Sequence, residues 1–446
     1  THQLTSILTH FMPSSRNETI RAASSNVREK WMSETRLTRE YFELLDQKDL
    51  LRGYHSKFQL PGGIIYLDGN SLGPLVKGVK EKVDYAISEE WGNGLISSWN
   101  QADWFDLPTK VGNKIAKLIG AKEGEVIVGD STSLNIFKLA TALLKKQKNR
   151  RKIIVEKENF PTDIYILQGI VQIFEPQFDL IFGGQEEIDD LIDEDTALVL
   201  LTQVNYRTGQ IFDMESITKK ANSRDAPIIW DLCHSAGALP LQLNRFGVKY
   251  AVGCSYKYLN GGPGAPAYTY VAEESIEQFE PIVTGWHSHA RQFEFEIEYE
   301  ADISIKKTLV GTPTILSLVS LNAALDIWKD VDITAVRRKS LTLTNSFIEL
   351  IESRCSEFDL RLHSPRDDDL RGSQVSWGTP NGYEIMQALI NRKVIGDFRP
   401  PDVMRFGFTP LYTRFVDVFD AVTQLKEILE TEEWRRPEFS IRQAVT

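Results

Sequence analysis

The sequence predicts an α/β protein: a large domain with a mostly parallel central sheet flanked by helices, and a smaller C-terminal α+β domain. Three observations lead there. Nearly continuous apolar runs of strand length alternate with helical segments, as strands buried on both faces require. Over the last ~120 residues this alternation gives way to long helices and then to short strands and helices separated by turns. The chain has 446 residues, 42% hydrophobic and 25% charged, so burial is not limiting for such an architecture.

The elements follow in order. Residues 1–20 are rich in Ser, Thr and Asn without periodicity and read as a loose arm. In "NVREKWMSETRLTREYFELLDQKDLL" (26–51) apolar positions recur at helical spacing, predicting one or two helices. "GIIYLDGNSLGP" (63–74) is a short strand breaking into an Asn/Gly/Pro turn. "EGEVIVG" is then a strand, "LNIFKLATALLKKQ" a helix, "KIIVE" a strand, "TDIYILQGIVQIF" a helix and "FDLIFG" a strand. "TALVLLTQV" is a strand, "MESITKKANSR" a helix and "PIIWDL" a strand. Long helices are predicted over 314–328 and 332–353. The implied division is an arm and helix over 1–48, a large domain over 49–315 and a small domain over 316–446.

Charge narrows the function. The net charge is −11, and "KKQKNRRK" (145–152), the only dense basic cluster, reads as a solvated helix end. Nucleic-acid binding is therefore not expected. No apolar run approaches the ~20 residues that span a bilayer, and no secretory signal is visible. Cys233, Cys254 and Cys355 form no CxxC pair and no even framework, which favours a reducing, cytoplasmic setting. "HSH" (287–289) has the spacing of a metal pair on a strand. The "FEFEIEYE" after it (293–300) alternates instead, as a half-buried strand with an acidic outer face should, and no metal is assigned.

Ligands of parallel sheets sit at the carboxyl ends of the strands, and four predicted strand ends here carry polar residues. In "GDSTSLN" (129–135), Ser131, Thr132 and Ser133 at a helix start suit a phosphate, and Asp130 or Ser131 equally suits a helix cap. In "NFPTD" (159–163), Phe160 could cover a flat ring and Asp163 bond its substituents, or the stretch is a Pro-containing turn. In "IIWDLCHSAG" (228–237), Asp231 ends an apolar strand, where a carboxylate is costly to bury unless a cation meets it. His234 follows three residues on. "GCSYKYLNGGPG" (253–264) then sets Lys257 between two tyrosines, twenty-six residues after Asp231. A lysine amine forms a Schiff base with an aldehyde. Pyridoxal phosphate needs such a lysine, an acid for its ring nitrogen and donors for its phosphate, and this chain offers all three at strand–loop junctions.

Together "YLDGNSLGP", "WGNGLISSWN", "NFPTD", "WDLCHSAGA", "YKYLNGGPG" and "MRFGFTPLY" resemble kynureninase, most of all its bacterial form, from about residue 40 to the end. The resemblance implies a hydrolase of the pyridoxal-phosphate-dependent aminotransferase superfamily, acting on a small amino-acid substrate as a homodimer. The reaction implied is hydrolysis of L-kynurenine, extending to 3-hydroxykynurenine, to anthranilate and L-alanine in tryptophan catabolism. Carried over by position, Lys257 would hold the cofactor and remove the substrate Cα proton, Asp231 would pair with the ring nitrogen, and Tyr256 would bind phosphate and relay protons. Phe160 would stack on the ring, with His234, Asp163, Thr132, Ser133 and Thr202 around it. Trp286 and Thr312 would complete the site across a dimer interface. Arg405 would clamp the substrate carboxylate. Trp99 would line the aryl pocket, and with Thr312 it resembles the pair in bacterial enzymes that favour kynurenine over its 3-hydroxy form.

One departure stands out. Where the family generally reads Gly-Trp-Phe-Gly-His, this chain reads "GWHSH" (285–289), placing His287 where an aromatic should pack beside the substrate ring. His287 is either a tolerated swap or a determinant of substrate choice toward a more polar ring or acyl group. The competing readings are a related lyase or transaminase acting on another β-acyl or β-thio amino acid, and a catalytically silent binding protein. A desulfurase-type lyase wants a mobile nucleophilic cysteine. The silent protein would be favoured by loss of Lys257 or Asp231, and both are present.

Overall fold

The computed structural model describes residues 37–443. The arm over 1–20 and the first part of the helix expected over 26–51 lie outside the described residues. The rest of that stretch gives the helix Arg39–Lys48, capped by Thr38, whose Phe42 is buried.

Among the described residues thirteen strands run in chain order: β1 (Ile65–Tyr66), β2 (Val126–Val128), β3 (Lys152–Glu156), β4 (Asp179–Gly183), β5 (Thr196–Thr202), β6 (Ile228–Asp231), β7 (Tyr250–Gly253), β8 (Tyr268–Val271), β9 (Arg361–Leu362), β10 (Gln374–Gly378), β11 (Val394–Ile395), β12 (Asp397–Arg399) and β13 (Val403–Gly407). The main sheet has the order β2-β8-β7-β6-β5-β3-β4, in which β8 alone runs antiparallel to its neighbours. β5 through β7 are buried along their whole length, which is why they read as unbroken apolar runs rather than alternating ones.

Register places the polar strand ends side by side: Thr202 of β5 pairs with Asp231 of β6, and Asp231 with Val252 of β7. The helices that cover the sheet begin where chemistry dictates. Ser131 caps Thr132–Leu144 by accepting from the Leu134 N–H, and Pro161 opens Pro161–Ile173, where a missing N–H costs nothing. Leu107–Ile119 presents Val111, Gly112, Ile115 and Ala116 to the sheet and ends at Gly120 with a φ of 67°. A Cβ on Gly112 would lie 2.1 Å from the Val126 carbonyl oxygen, so the helix rests directly on β2.

A second, four-stranded sheet, β12-β13-β10-β9, is antiparallel. It is covered by Ile333–Arg354, Gly382–Asn391 and Phe415–Glu430, and its core takes in Phe42 from the first helix and Leu67 from beyond β1. The long helix expected over 314–328 is an α-helix over Ile315–Ala324 continued by a 3-10 turn over Leu325–Asp330, and its Leu318, Leu321 and Ala324 belong to the main-sheet core.

The strand expected over 293–300 does not form. The segment is a curled loop in which Phe295 has a φ of 53° and Phe293, Phe295 and Ile297 are exposed. Arg291 explains the curl: its guanidinium gathers Glu294 at 2.9 Å, Glu296 at 2.6 Å and Glu300. Alternation had set these acids on one face, and one cation drew them together.

Candidate active site

A cavity of about 430 Å³ opens at the carboxyl ends of β2, β5, β6 and beyond β7. It has the size of a small-ligand site. Lys257, Tyr256, Asp231, His234, Thr132, Ser133, Phe160, Asp163, Thr202 and Thr312 all border it, so the structure brings together ten of the residues singled out by sequence.

Lys257 follows β7 and reaches back across the strand ends. Its Nζ lies 2.9 Å from His234 Nε2 and 5.8 Å from the centre of the Tyr256 ring. Another segment packs closely on its backbone: a Cβ on Gly73 would meet the Lys257 carbonyl oxygen at 2.2 Å. Burial, helped by Lys257, Arg405 and Arg399, pushes His234 well below the usual imidazole range, so the ring is neutral. Its buried Nδ1 has no hydrogen-bond partner.

Two buried carboxylates stand across from the lysine. Asp231 accepts from the Cys233 N–H at 2.7 Å, and Asp163 accepts from the Thr202 hydroxyl at 3.3 Å. Thr202 also donates to Asn159, which holds the Phe160 N–H at 2.7 Å. Burial raises Asp163 well above the ordinary carboxylate range, and the charge of Asp231 adds to this. Asp231 is raised by burial as well, against the pull of Cys233 and Lys257. Among the described residues neither acid is in an ion pair with a cation, although the Lys257 charge acts on both. A protonated pyridine nitrogen is such a cation, so the donor set fits the ring it was predicted to hold. At the other end, Ser131 satisfies Leu134 and leaves the first-turn N–H groups of Thr132 and Ser133 for an acceptor from outside the helix, which suits a phosphate. Phe160, 42% exposed, borders the cavity.

Four predicted residues lie elsewhere in the chain. Arg405, in the centre of β13, is buried one layer away: Nε meets Asp397 at 2.7 Å, Nη1 the Tyr206 carbonyl at 2.5 Å, and Nη2 both Asp397 and the Ser71 hydroxyl at 3.1 Å. Burial opposes the Asp397 charge, but Arg405, Arg399 and Ser71 outweigh it and hold the carboxyl below its usual range. Trp99 and Trp286 line a second cavity of about 600 Å³, with Phe105 and Phe293. His287 packs beside that cavity, only 3% exposed, with ring centres 5.1 Å from Phe105 and 5.0 Å from Trp286. Burial and Lys306 lower its pKa, and its Nδ1 has no partner.

Sequence reasoning missed Tyr206 and Asp397. Tyr206 borders the Lys257 cavity and packs edge-on against Phe160 at 5.2 Å. Its signal was an aromatic in the same strand-end loop as Thr202. Asp397 shares a register pair with Arg405. Cys233 borders the cavity, and burial and Cys254 push its thiol well above the usual range, which disfavours a thiolate there.

A family model described as the kynureninase C-terminal domain matches residues 336–425. A kynureninase from Burkholderia pseudomallei strain K96243 is 48% identical over 414 residues, covering 92% of this chain and 100% of that protein. One from Pseudomonas fluorescens is 47% identical over 407 residues, covering 90% and 98%. Among solved structures, a cysteine desulfurase from Thermococcus onnurineus NA1 superposes with a TM-score of 0.73 at 18% identity, over 85% of this chain and 98% of that one. A C-DES mutant with glycine covalently linked to its PLP cofactor does so at 0.73 and 16% identity, over 84% and 99%. At these identities the structural neighbours speak for the fold alone.

Proposed function

This chain belongs to the kynureninase family, and on that premise we propose that Lys257, Tyr256 and Asp231 carry its reaction, the pyridoxal-phosphate-dependent hydrolysis of L-kynurenine to anthranilate and L-alanine. The observation that carries the assignment is the meeting of Lys257 with neutral His234 in a cavity floored by the Asp231–Asp163 pair.

Pyridoxal phosphate, when bound, draws electrons from the substrate α-carbon and so lets bonds at Cα and Cβ break heterolytically. Asp231, with Asp163 behind it, would hold the ring nitrogen. Phe160 would cover the ring, and Thr132, Ser133 and Tyr256 would hold the phosphate. The Lys257 amine takes the Cα proton and returns one later. Neutral His234 leaves that amine its lone pair, where an imidazolium would compete for the same space with a like charge. Tyr256, its hydroxyl raised by burial and by Cys254, stays protonated and so can give its proton near the γ-carbonyl and recover it from the attacking water.

The remaining assignments concern assembly. Exposed Phe293, Phe295, Ile297 and Ile303 support a homodimer. In it Trp99, Trp286 and His287 would reach the aryl end of a neighbouring site, and Thr312, which borders its own chain's cavity, would serve at that seam. Arg405 would take the substrate carboxylate from the second sheet. We place the protein in the cytoplasm: among the described residues no helix is long and apolar enough to cross a membrane, and the three cysteines are free. The division into 1–48, 49–315 and 316–446 is kept as a proposal, supported by the change of core near the helix Ile315–Ala324.

The test is a visible spectrum of the protein with pyridoxal phosphate, followed by anthranilate fluorescence on addition of L-kynurenine, for wild type and Lys257→Ala. The variant should lose the lysine-bound absorbance band and at least about 10³-fold in kcat, the scale of losing a catalytic base. Full turnover in the variant would remove Lys257 from the mechanism.

A further inference from the structure

Lys138 lies within the helix Thr132–Leu144, yet it is only 3% exposed. A lysine is almost never this buried unless it is paired. Its Nζ donates to Asp130 Oδ2 at 2.7 Å and to the Thr308 carbonyl at 2.6 Å. Asp130 borders the Lys257 cavity, and Thr308 directly precedes Leu309, which borders it from another side. Asp130 opens the turn that carries Ser131, Thr132 and Ser133, and Thr308 leads into the stretch Leu309–Thr312.

The two walls approach each other at a left-handed turn. Asp130 has a φ of 56°, a left-handed conformation that a non-glycine residue keeps only when its surroundings impose it. Leu309 packs so near the preceding Gly129 that a Cβ there would meet it at 2.9 Å, so the two walls already touch on their apolar side. Lys138 supplies the polar tie.

We propose that Lys138 is a positioning residue of the cofactor site: its buried ammonium joins the Asp130 turn to the Thr308–Thr312 wall and so sets the gap in which the phosphate end is held. This rests on the reading of the cavity as the pyridoxal phosphate site. Burial works against the ammonium and Asp130 works for it, so removal of the Asp130 charge should release the lysine from the turn.

The chain contains its own control. Lys339 is likewise buried between a carboxylate and a carbonyl, Asp49 at 2.7 Å and Pro410 at 2.6 Å, but neither partner borders the cavity, whereas Asp130, the partner of Lys138, does. A purely structural role predicts that the two lysines behave alike.

The experiment is equilibrium binding of pyridoxal phosphate to apo-protein, read by tryptophan quenching, with thermal unfolding of each protein with and without cofactor. The proteins are wild type, Lys138→Met, Asp130→Asn, the double variant, and Lys339→Met. Lys138→Met and Asp130→Asn are each expected to weaken cofactor binding about tenfold, the equivalent of one charge-assisted contact. The double variant should be no worse than Lys138→Met alone, because both remove one interaction. Lys339→Met should unfold at a lower temperature yet bind cofactor as wild type does. Asp130→Asn keeps a residue suited to the left-handed turn and decides the matter if Lys138→Met does not fold. Wild-type affinity in Lys138→Met and Asp130→Asn overturns the proposal, even if stability falls. Failure of wild type to bind pyridoxal phosphate overturns the cofactor reading itself.

Discussion

Replacing Asp397 by Asn isolates what holds Arg405 in place. Asp397 stands between two guanidiniums, accepting from Arg405 through both oxygens and from Arg399 at 2.8 Å, and Ser71 donates to it at 2.8 Å. Arg405 and Asp397 are nearly inaccessible, with side chains 2% and 3% exposed. Asparagine keeps the shape and one acceptor but leaves a buried cation without its counter-charge. Breaking a buried pair this way costs about 3–5 kcal/mol, and the retained amide recovers part, so a loss of about 3 kcal/mol is expected. Asp402 provides the contrast: it meets Arg361 at 3.0 Å and Arg207 at 3.5 Å at a more open place, where loss of the charge should cost about 1 kcal/mol or less. Urea unfolding of Asp397→Asn, Asp402→Asn and wild type reads this difference. If Arg405 takes the substrate carboxylate as proposed, the same change should raise KM for L-kynurenine more than it lowers kcat, because a loosened fork would weaken carboxylate binding before and during the reaction alike. Asp397→Asn with the unfolding midpoint and KM of wild type would refute the reasoning.

Two further outcomes are expected. Burial raises the Glu156 carboxyl from 4.5 to about 7. The native state therefore holds a proton that the unfolded state has lost between those values, and this contribution to stability falls as pH rises from about 4.5 to 7. About 2.5 pKa units correspond to roughly 3 kcal/mol. Glu156→Gln should flatten that slope, visible as a larger gain in urea midpoint at pH 8 than at pH 5, and parallel profiles would count against it. His287→Phe removes a buried, unpartnered ring nitrogen from beside the second cavity and should change the ratio of kcat/KM for kynurenine to that for 3-hydroxykynurenine by about 3–10-fold, the scale of one modest polar contact. An unchanged ratio removes His287 as a determinant of choice.

The part of the site built on the main sheet was legible because strand ends are where sequence and space agree. Asp231 and Thr202 each close an apolar run, and parallel register then sets them side by side. Lys257 was legible from the Gly/Pro-rich turn that follows it, and its carbonyl packs against Gly73, where a Cβ would lie 2.2 Å away. Arg405 was identified, but its surroundings were not, because Asp397, Ser71 and Tyr206 reach it from positions 8, 334 and 199 residues away. The strand over 293–300 failed for a local reason. Periodicity records which residues alternate, and it does not record that Arg291 collects Glu294, Glu296 and Glu300.

Tyr206 links the Lys257 cavity to the surroundings of Arg405. Its ring borders the Lys257 cavity, and its carbonyl accepts from Arg405 on the second sheet. The loop that carries it is fastened from both sides. Asn205 accepts the N–H groups of Arg207 and Thr208 at 2.9 and 3.0 Å, and Gln374 donates to the Tyr206 carbonyl at 3.0 Å. Asn205 in turn donates toward Glu156 at 3.4 Å. A proton on Glu156 therefore acts at the near end of a short chain of contacts whose far end is Arg405. If that chain is rigid, Glu156→Gln should alter KM for L-kynurenine at pH 8, where the wild-type carboxyl is charged, and leave it unchanged at pH 5, where both side chains are neutral. A KM shift equal at the two pH values would mean that the loop, and not the charge, sets the carboxylate subsite.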